Sequence, residues 1–363
     1  MSDRYIGLMS GTSLDGVDAV LVEFGGESPQ VHASCHLPFS AQIREAALSL
    51  QRAGHDELHG AAILGNQLAA IYAEAVQRVI ELAGTAGDQI AAIGCHGQTL
   101  RHRPQDGYTL QIGNPALLVE LTGITVVADF RSRDIAAGGQ GAPLVPVVHD
   151  ALFRRTDRHR VILNLGGIAN VTDLAPGKPT TGFDCGPANM LLDAWAEKHL
   201  SVPYDHGGEW ALTGNVVPEL LDRLLTNPYF QVAPPKSCGR EEFGIDWLLP
   251  QLAGNEKPED IQATLVALTA HTVANAVRRW CGLPQEMFTC GGGVHNKTLI
   301  DALRRALAPV ALDTTAQLGI PPHLVEAVAF AWLARRCLQR MPGNLPPVTG
   351  AKGSRVLGSI YSA

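Results

Sequence analysis

The sequence predicts an α/β protein of two related lobes, and three observations carry that expectation. Apolar β-rich runs alternate with helical stretches, and each run ends in polar residues, the pattern of helices layered on a sheet. A device of β-run, Gly-containing polar turn and second β-run occurs twice, over residues 6–22 and 160–172. The 363 residues are enough for two domains, each with a sizeable core.

The first device sets an apolar run, Ile6 to Met9, before a turn and a second run, Val17 to Val22, after it. The turn, residues 10–16, holds three hydroxyls, two glycines and one carboxylate. Glycines let backbone N–H groups approach an anion, and hydroxyls add donors. The stretch fits a phosphate grip, and it fits an ordinary tight hairpin as well. Residues 38–54 and 58–83 read as helices, the second with Leu64, Leu68, Ile71, Ala75, Val79 and Leu82 at spacings of three and four. Residues 90–94 form a β-run that ends at Cys95-His96-Gly97-Gln98-Thr99, and 108–112 form another. Gly113-Asn114-Pro115 opens a helix through Leu121, and the strand 124–128 ends in Asp129-Phe130-Arg131.

The Gly-rich segment 136–143 reads as a hinge or a surface loop. A hinge there divides the chain into lobes 1–140 and 141–363, with the tail after 341 expected to pack back on the first. The second device, 160–172, carries Asn164-Leu165-Gly166-Gly167 in its turn, and residues 181–189 then lead into an apolar helix through Trp195. Asp184 stands before a Gly-Pro turn, a common N-cap setting. Residues 234–241, Pro-Pro-Lys-Ser-Cys-Gly-Arg-Glu, read as a loop, and Asp260 opens a long helix to Trp280. Cys290-Gly291-Gly292-Gly293 is a triple-Gly turn before the helix 298–307, a place where backbone can lie close to something flat or charged. Pro321-Pro322 opens the last strong helix, and the tail from Pro342 is rich in Gly and Pro.

Composition narrows the function classes. Apolar residues make up 46% and charged ones 17%, with mean hydropathy +0.06, which is globular and not disordered. A net charge of -7 argues against a nucleic-acid partner, which calls for a basic surplus. The seven cysteines are scattered without a C-x-x-C spacing, so neither a disulfide framework nor a cysteine zinc site is expected. The N-terminus lacks the apolar core of a secretory signal and the most apolar helix is too short to span a bilayer, so a soluble, cytoplasmic protein is expected.

Three Gly turns after β-rich segments resemble the sugar kinase/Hsp70/actin superfamily. In detail, residues 9–18, Gly94-Cys95-His96-Gly97-Gln98-Thr99, Gln111-Ile112-Gly113-Asn114-Pro115, Asp129-Phe130-Arg131, residues 164–170, Phe183-Asp184-Cys185-Gly186-Pro187 and residues 290–293 resemble the anhydro-N-acetylmuramic acid kinase family from hairpin to tail. The resemblance implies a two-lobed actin-like ATPase fold with ribonuclease H-like halves and an interlobe nucleotide cleft. It implies cleavage of the 1,6-anhydro ring of the sugar with water while O6 is phosphorylated from ATP, giving N-acetylmuramic acid 6-phosphate. That reaction belongs to peptidoglycan recycling and amino-sugar catabolism.

The same resemblance distributes roles. Gly11, Thr12, Ser13, Leu14, Asp15, Gly16, Val17 and Asp18, with Gly166 and Gly167, are expected to hold the ATP phosphates and Mg²⁺. Gly291, Gly292 and Gly293 are expected to meet adenosine, and Ser10, His96, Arg131 and Glu326 to bind the sugar. The wider superfamily carries an Asp in its first phosphate strand, where Met9-Ser10 stand here, so Asp15 in the turn is a weak metal candidate. A homodimer is the family expectation. Asp184 is the expected base for the attacking water, with an N-cap as the alternative. An inverting glycoside hydrolase needs a base and an acid; here the γ-phosphoryl group can take the acid's place by capturing O6. Arg131 offers a fork of donors for the lactyl carboxylate. His96 fits a buried core position as readily as a sugar contact. Glu326, in an almost wholly apolar helix, is either a first-turn residue favoured by the helix dipole or a group that binds sugar hydroxyls. The competing classes are another sugar kinase, an actin- or Hsp70-like ATPase, and a ring-opening hydrolase that uses no ATP.

Overall fold

The computed structural model describes residues 3–11, 14–26 and 28–363, apart from the side chains of Arg240 and Glu241; Thr12 and Ser13 lie outside the described residues. The strands in chain order are β1 (Arg4–Met9), β2 (Gly16–Glu23), β3 (Gln30–Pro38), β4 (Ala92–Cys95), β5 (Gln98–Arg103), β6 (Tyr108–Ile112), β7 (Val126–Ala128), β8 (Arg160–Leu165), β9 (Ile168–Leu174), β10 (Thr181–Pro187), β11 (Glu286–Cys290), β12 (Ala311–Thr314) and β13 (Ser359–Tyr361). The chain divides into two compact units, Met1–Leu152 with Leu324–Ala363, and Phe153–His323.

The first unit is built on a six-stranded sheet of order β13-β7-β4-β1-β2-β3. Strands β1, β2 and β3 run antiparallel, whereas β4 and β7 extend the sheet parallel to β1. The helix Glu57–Ala83 covers this sheet with Leu64, Leu68, Tyr72, Ala75, Val76 and Val79. Leu82, expected on that face, is 57% exposed at the end of the helix. The helix Val325–Leu338 returns to the same unit. A Cβ added at Gly7 of β1 would fall 1.8 Å from the Ala327 carbonyl oxygen, and one at Gly94 of β4 would fall 2.0 Å from that of Phe330. Only bare backbone at these two strand positions admits the helix.

The division therefore differs from the one expected at residue 140. It falls after residue 152, and everything from Leu324 onward belongs with the first unit. The Gly-rich segment expected as a hinge is tied down within that unit. The buried Asp134 carboxylate accepts from Gly141 N at 2.8 Å, Asn344 Nδ2 at 2.6 Å and Thr349 Oγ1 at 2.8 Å. Gln140 N also donates to the Thr349 carbonyl at 2.7 Å. The tail ends in β13, antiparallel to β7.

The second unit holds a five-stranded sheet of order β10-β9-β8-β11-β12. Strands β8, β9 and β10 are antiparallel, and β11 and β12 continue parallel to β8. The helix Pro258–Ala276 is buried almost all round and is followed by a π-helical turn, Val277–Cys281, so the expected single helix to Trp280 changes its winding at Val277. Leaving β13 and the separate β5–β6 hairpin aside, each unit repeats one scheme: a three-stranded antiparallel meander extended by two parallel strands. Among the described residues no helix is long and apolar enough to cross a membrane.

Candidate active site

The first unit gathers all four residues expected at the sugar. Ser10 and His96 are buried at the ends of β1 and β4, which pair in parallel. Ser10 Oγ donates its single hydrogen to the Gly97 carbonyl at 3.1 Å, so the Tyr72 hydroxyl, 2.8 Å away, is the donor to Ser10. His96 Nδ1 lies 3.2 Å from the Ser10 carbonyl oxygen, which can only accept, and Arg131 donates to Nε2 at 3.1 and 2.9 Å. That pattern requires a neutral ring protonated at Nδ1. Burial, with Arg131 adding to it, pushes the His96 pKa down to about 3.

Arg131 follows β7 and also donates to the Gly141 carbonyl at 2.9 Å. Three of its five N–H groups are thereby used among the described residues, leaving donors for an anionic ligand. Burial lowers its pKa to about 10, with Glu326 acting in the opposite sense. Glu326 stands in the first turn of its helix; burial raises its carboxyl pKa, Arg131 opposes the rise, and Asp18 adds to it. Glu326 is thus a first-turn residue within electrostatic reach of Arg131 and Asp18.

The turn after β1 divides its residues by task. Leu14 and Val17 send their side chains into the core, so only their backbones can face a ligand. Gly16 is demanded by the neighbouring strand, because an added Cβ would lie 2.3 Å from the Leu37 carbonyl oxygen. Asp15 is exposed and its carbonyl accepts from Phe39 N at 3.0 Å. Asp18, opposite Met9 in the ladder, bonds His36 Nδ1 at 2.9 Å. Gln98, fully buried, donates to the Gly11 carbonyl at 3.1 Å and braces the turn. Among the described residues no group of three His, Cys, Asp or Glu side chains forms a metal site.

The second unit brings its two Gly turns together. Asn189 Nδ2 donates to the carbonyls of Leu165 and Gly166, at 3.1 and 2.9 Å. Gly291, at φ +83°, and Gly293 approach the end of β8 so closely that a Cβ on either would lie within 2.4 to 2.7 Å of Asn164 or Leu165. Gly292 is different: an added Cβ meets nothing within 4 Å. The flanking glycines serve the fold, and the middle one leaves open space beside the turn.

Asp184 is not an N-cap. It lies inside β10, opposite Asn170, and the helix Asn189–Leu200 starts five residues later with no side-chain cap. The pairing slips between Asp184 and Gly186, a bulge of the kind that re-aims a side chain. The carboxylate is half-buried and accepts from Cys238 N at 3.0 Å. Burial raises its pKa to about 6; the Cys238 N–H and Lys236 hold it down, and Glu242 pushes it up. A carboxylate so placed is mostly ionised at neutral pH yet far more basic than an exposed one, the condition for a general base. The residues that brace these groups, Tyr72, Gln98, Tyr229, Lys236 and Cys238, carry no periodic signal of their own. Gln98 falls in the Cys95–Thr99 run, and Lys236 and Cys238 fall in the polar segment 234–241, which reads as a loop.

Two units that each repeat the meander-plus-parallel scheme, with Gly turns at the strand ends, define the actin-like ATPase fold class, which includes sugar kinases. Within that class the match is specific. A family model described as anhydro-N-acetylmuramic acid kinase covers residues 3–363. Curated relatives of that name from Nitrosomonas europaea and Cupriavidus metallidurans are 54% and 53% identical, each over 99% of this chain and over 99% and 98% of their own lengths. One from Chromobacterium violaceum is 50% identical over 99% of this chain and all of its own length. The chain belongs to the anhydro-N-acetylmuramic acid kinase family.

Proposed function

We propose that this protein is an ATP-dependent kinase that opens the 1,6-anhydro ring of anhydro-N-acetylmuramic acid and phosphorylates O6 in cell-wall recycling, with Asp184 as the base. The observation that carries the residue assignment is the half-buried carboxylate beside the β10 bulge, raised to about 6 and given one backbone donor among the described residues. In the step, water oxygen bonds to C1 as the C1–O6 bond breaks. O6 takes the γ-phosphorus as the bond to ADP breaks, and Asp184 receives a proton from the water. The products are the 6-phosphorylated sugar, ADP and one proton. Because O6 leaves onto phosphorus, no side chain need protonate it, and one carboxylate replaces the pair used by inverting glycoside hydrolases.

Arg131 faces the sugar's carboxylate with its remaining donors and Glu326 the sugar's hydroxyls, while Ser10 and His96, buried with their polar hydrogens donated within the unit, support the cluster from behind and do not contact the sugar as the sequence suggested. The neutral His96 offers no charge; it holds Arg131 through Nε2. The backbone of residues 11–18 and of Gly166-Gly167 holds phosphates, and the open face at Gly292 receives the adenosine portion. Catalysis of phosphoryl transfer is largely such positioning and electrostatics. The donor set fits Mg²⁺ that enters with the nucleotide: Asp15 is exposed, and Asp18 is already engaged by His36. When bound, Mg²⁺ would neutralise phosphate charge. The protein acts in the cytoplasm as a homodimer.

The test is Asp184→Asn. It should retain ATP affinity and lose turnover by roughly 10²–10⁴-fold, the usual worth of a positioned base. Wild-type turnover in that variant would sink the assignment.

A further inference from the structure

The segment 229–238 surrounds Asp184 without being part of its strand. Asp184 N donates to the Lys236 carbonyl at 3.1 Å, the Tyr229 hydroxyl donates to the Asp184 carbonyl at 3.0 Å, and Cys238 N donates to the carboxylate at 3.0 Å. Both backbone polar groups of Asp184 and one oxygen of its side chain are therefore held by a single excursion of chain. The excursion is itself pinned. Lys236 Nζ donates to the Tyr229 carbonyl at 3.1 Å and sits 4.4 Å from the centre of the Tyr229 ring. Tyr229 packs edge-on against Phe243, which is fully buried.

We propose that Lys236 is a positioning residue for the catalytic carboxylate: it closes the 229–238 segment over Tyr229 and brings a positive charge to the carboxylate's side of that segment. This rests on the reading of Asp184 as the base. Among the described side chains, the charged and titratable groups that face Asp184 are Lys236, Glu242, Cys238, Cys185 and Tyr229. Of these Lys236 alone carries positive charge; Glu242 opposes it, and Arg279 faces Lys236 and not the carboxylate. Burial lowers the Lys236 pKa, while Asp184 and the two cysteines raise it. The bulge explains why such a clamp is needed. The register slips just past Asp184, which lies on the edge strand of its sheet, and the excursion supplies hydrogen bonds to the N–H and carbonyl that point off that edge.

The experiment is the pH profile of turnover for wild type, Lys236→Met, Lys236→Arg and Asp184→Asn, between pH 5 and 9. Lys236→Met should move the acidic limb upward, and a move of about one pH unit lowers its activity at pH 6 about fivefold further than at pH 9. Lys236→Arg should restore the limb. A uniform loss across the range, or an unmoved limb, would overturn the proposal. If Lys236→Met does not fold, Tyr229→Phe takes its place. That variant lacks the donor to the Asp184 carbonyl and should lower kcat while leaving KM for ATP unchanged; an unchanged kcat would overturn the clamp. Asp184→Asn separates the two readings. If it retains turnover, Asp184 is not the base. If it is inactive while the Lys236 variants keep the wild-type limb, the base stands and the clamp does not.

Discussion

The raised Asp184 carboxyl makes the base a burden on the fold, and this can be measured apart from catalysis. Its pKa moves from an ordinary 3.8 to about 6 on folding, chiefly through burial. Between those two values the folded state binds more protons than the unfolded one, so stability falls as pH rises through the window. Below pH 3.8 the side chain is neutral in both states and the burden is absent. Above about pH 6 it is fully present, at about 3 kcal/mol given about 1.4 kcal/mol per pH unit. Asn at position 184 is neutral at every pH and can still accept from Cys238 N. Asp184→Asn should therefore be more stable than wild type by up to about 3 kcal/mol at pH 7.5, with the gap closing toward pH 4. Tryptophan fluorescence in a denaturant titration reads the relevant unit, because Trp195, Trp210, Trp247 and Trp280 lie in Phe153–His323 and only Trp332 lies elsewhere. The same variant should lose turnover, so stability and activity move in opposite directions. Equal or lower stability at pH 7.5, or a gap that does not narrow on acidification, would refute a carboxylate desolvated on the β10 bulge.

Other expectations follow from the Gly turns and the sugar cluster. Gly292→Ala adds a methyl to open space, so it should melt like wild type and raise KM for ATP severalfold. Gly293→Ala drives a Cβ to 2.7 Å from that of Leu165 and should cost about 1–3 kcal/mol in a denaturant titration. Arg131→Met should raise KM for the sugar at least tenfold with KM for ATP unchanged, since the guanidinium touches His96 and Gly141 and stands near Glu326. Equal effects on both KM values would show that the substitution disturbs the unit as a whole.

What could be read from the chain was what local pattern encodes. Apolar runs around polar Gly turns marked β1–β2 and β8–β9, and spacing marked the helix Glu57–Ala83. What could not be read depends on distant partners. Asp184 before Gly-Pro reads as a helix start, yet β10 runs on through Pro187 because β9 continues to pair with it past the bulge. Gly7 and Gly94 pass for ordinary strand glycines until a helix more than two hundred residues later is laid across them. The Gly-rich 136–143 segment suggests a hinge by composition, but one buried carboxylate, Asp134, binds it to the tail. The clamp on Asp184 has no periodicity at all, since its contacts cross about fifty residues of sequence.

The central claim is that one event breaks the sugar's own bridge with water and phosphorylates the oxygen released. Incubation of the enzyme with ATP and anhydro-N-acetylmuramic acid in ¹⁸O-water, followed by mass spectrometry, tests both halves together. The account predicts ¹⁸O on C1, phosphate on O6 bearing the sugar's original oxygen, and no product without ATP. Label in the O6 bridge, or ring opening that proceeds without ATP, would contradict it.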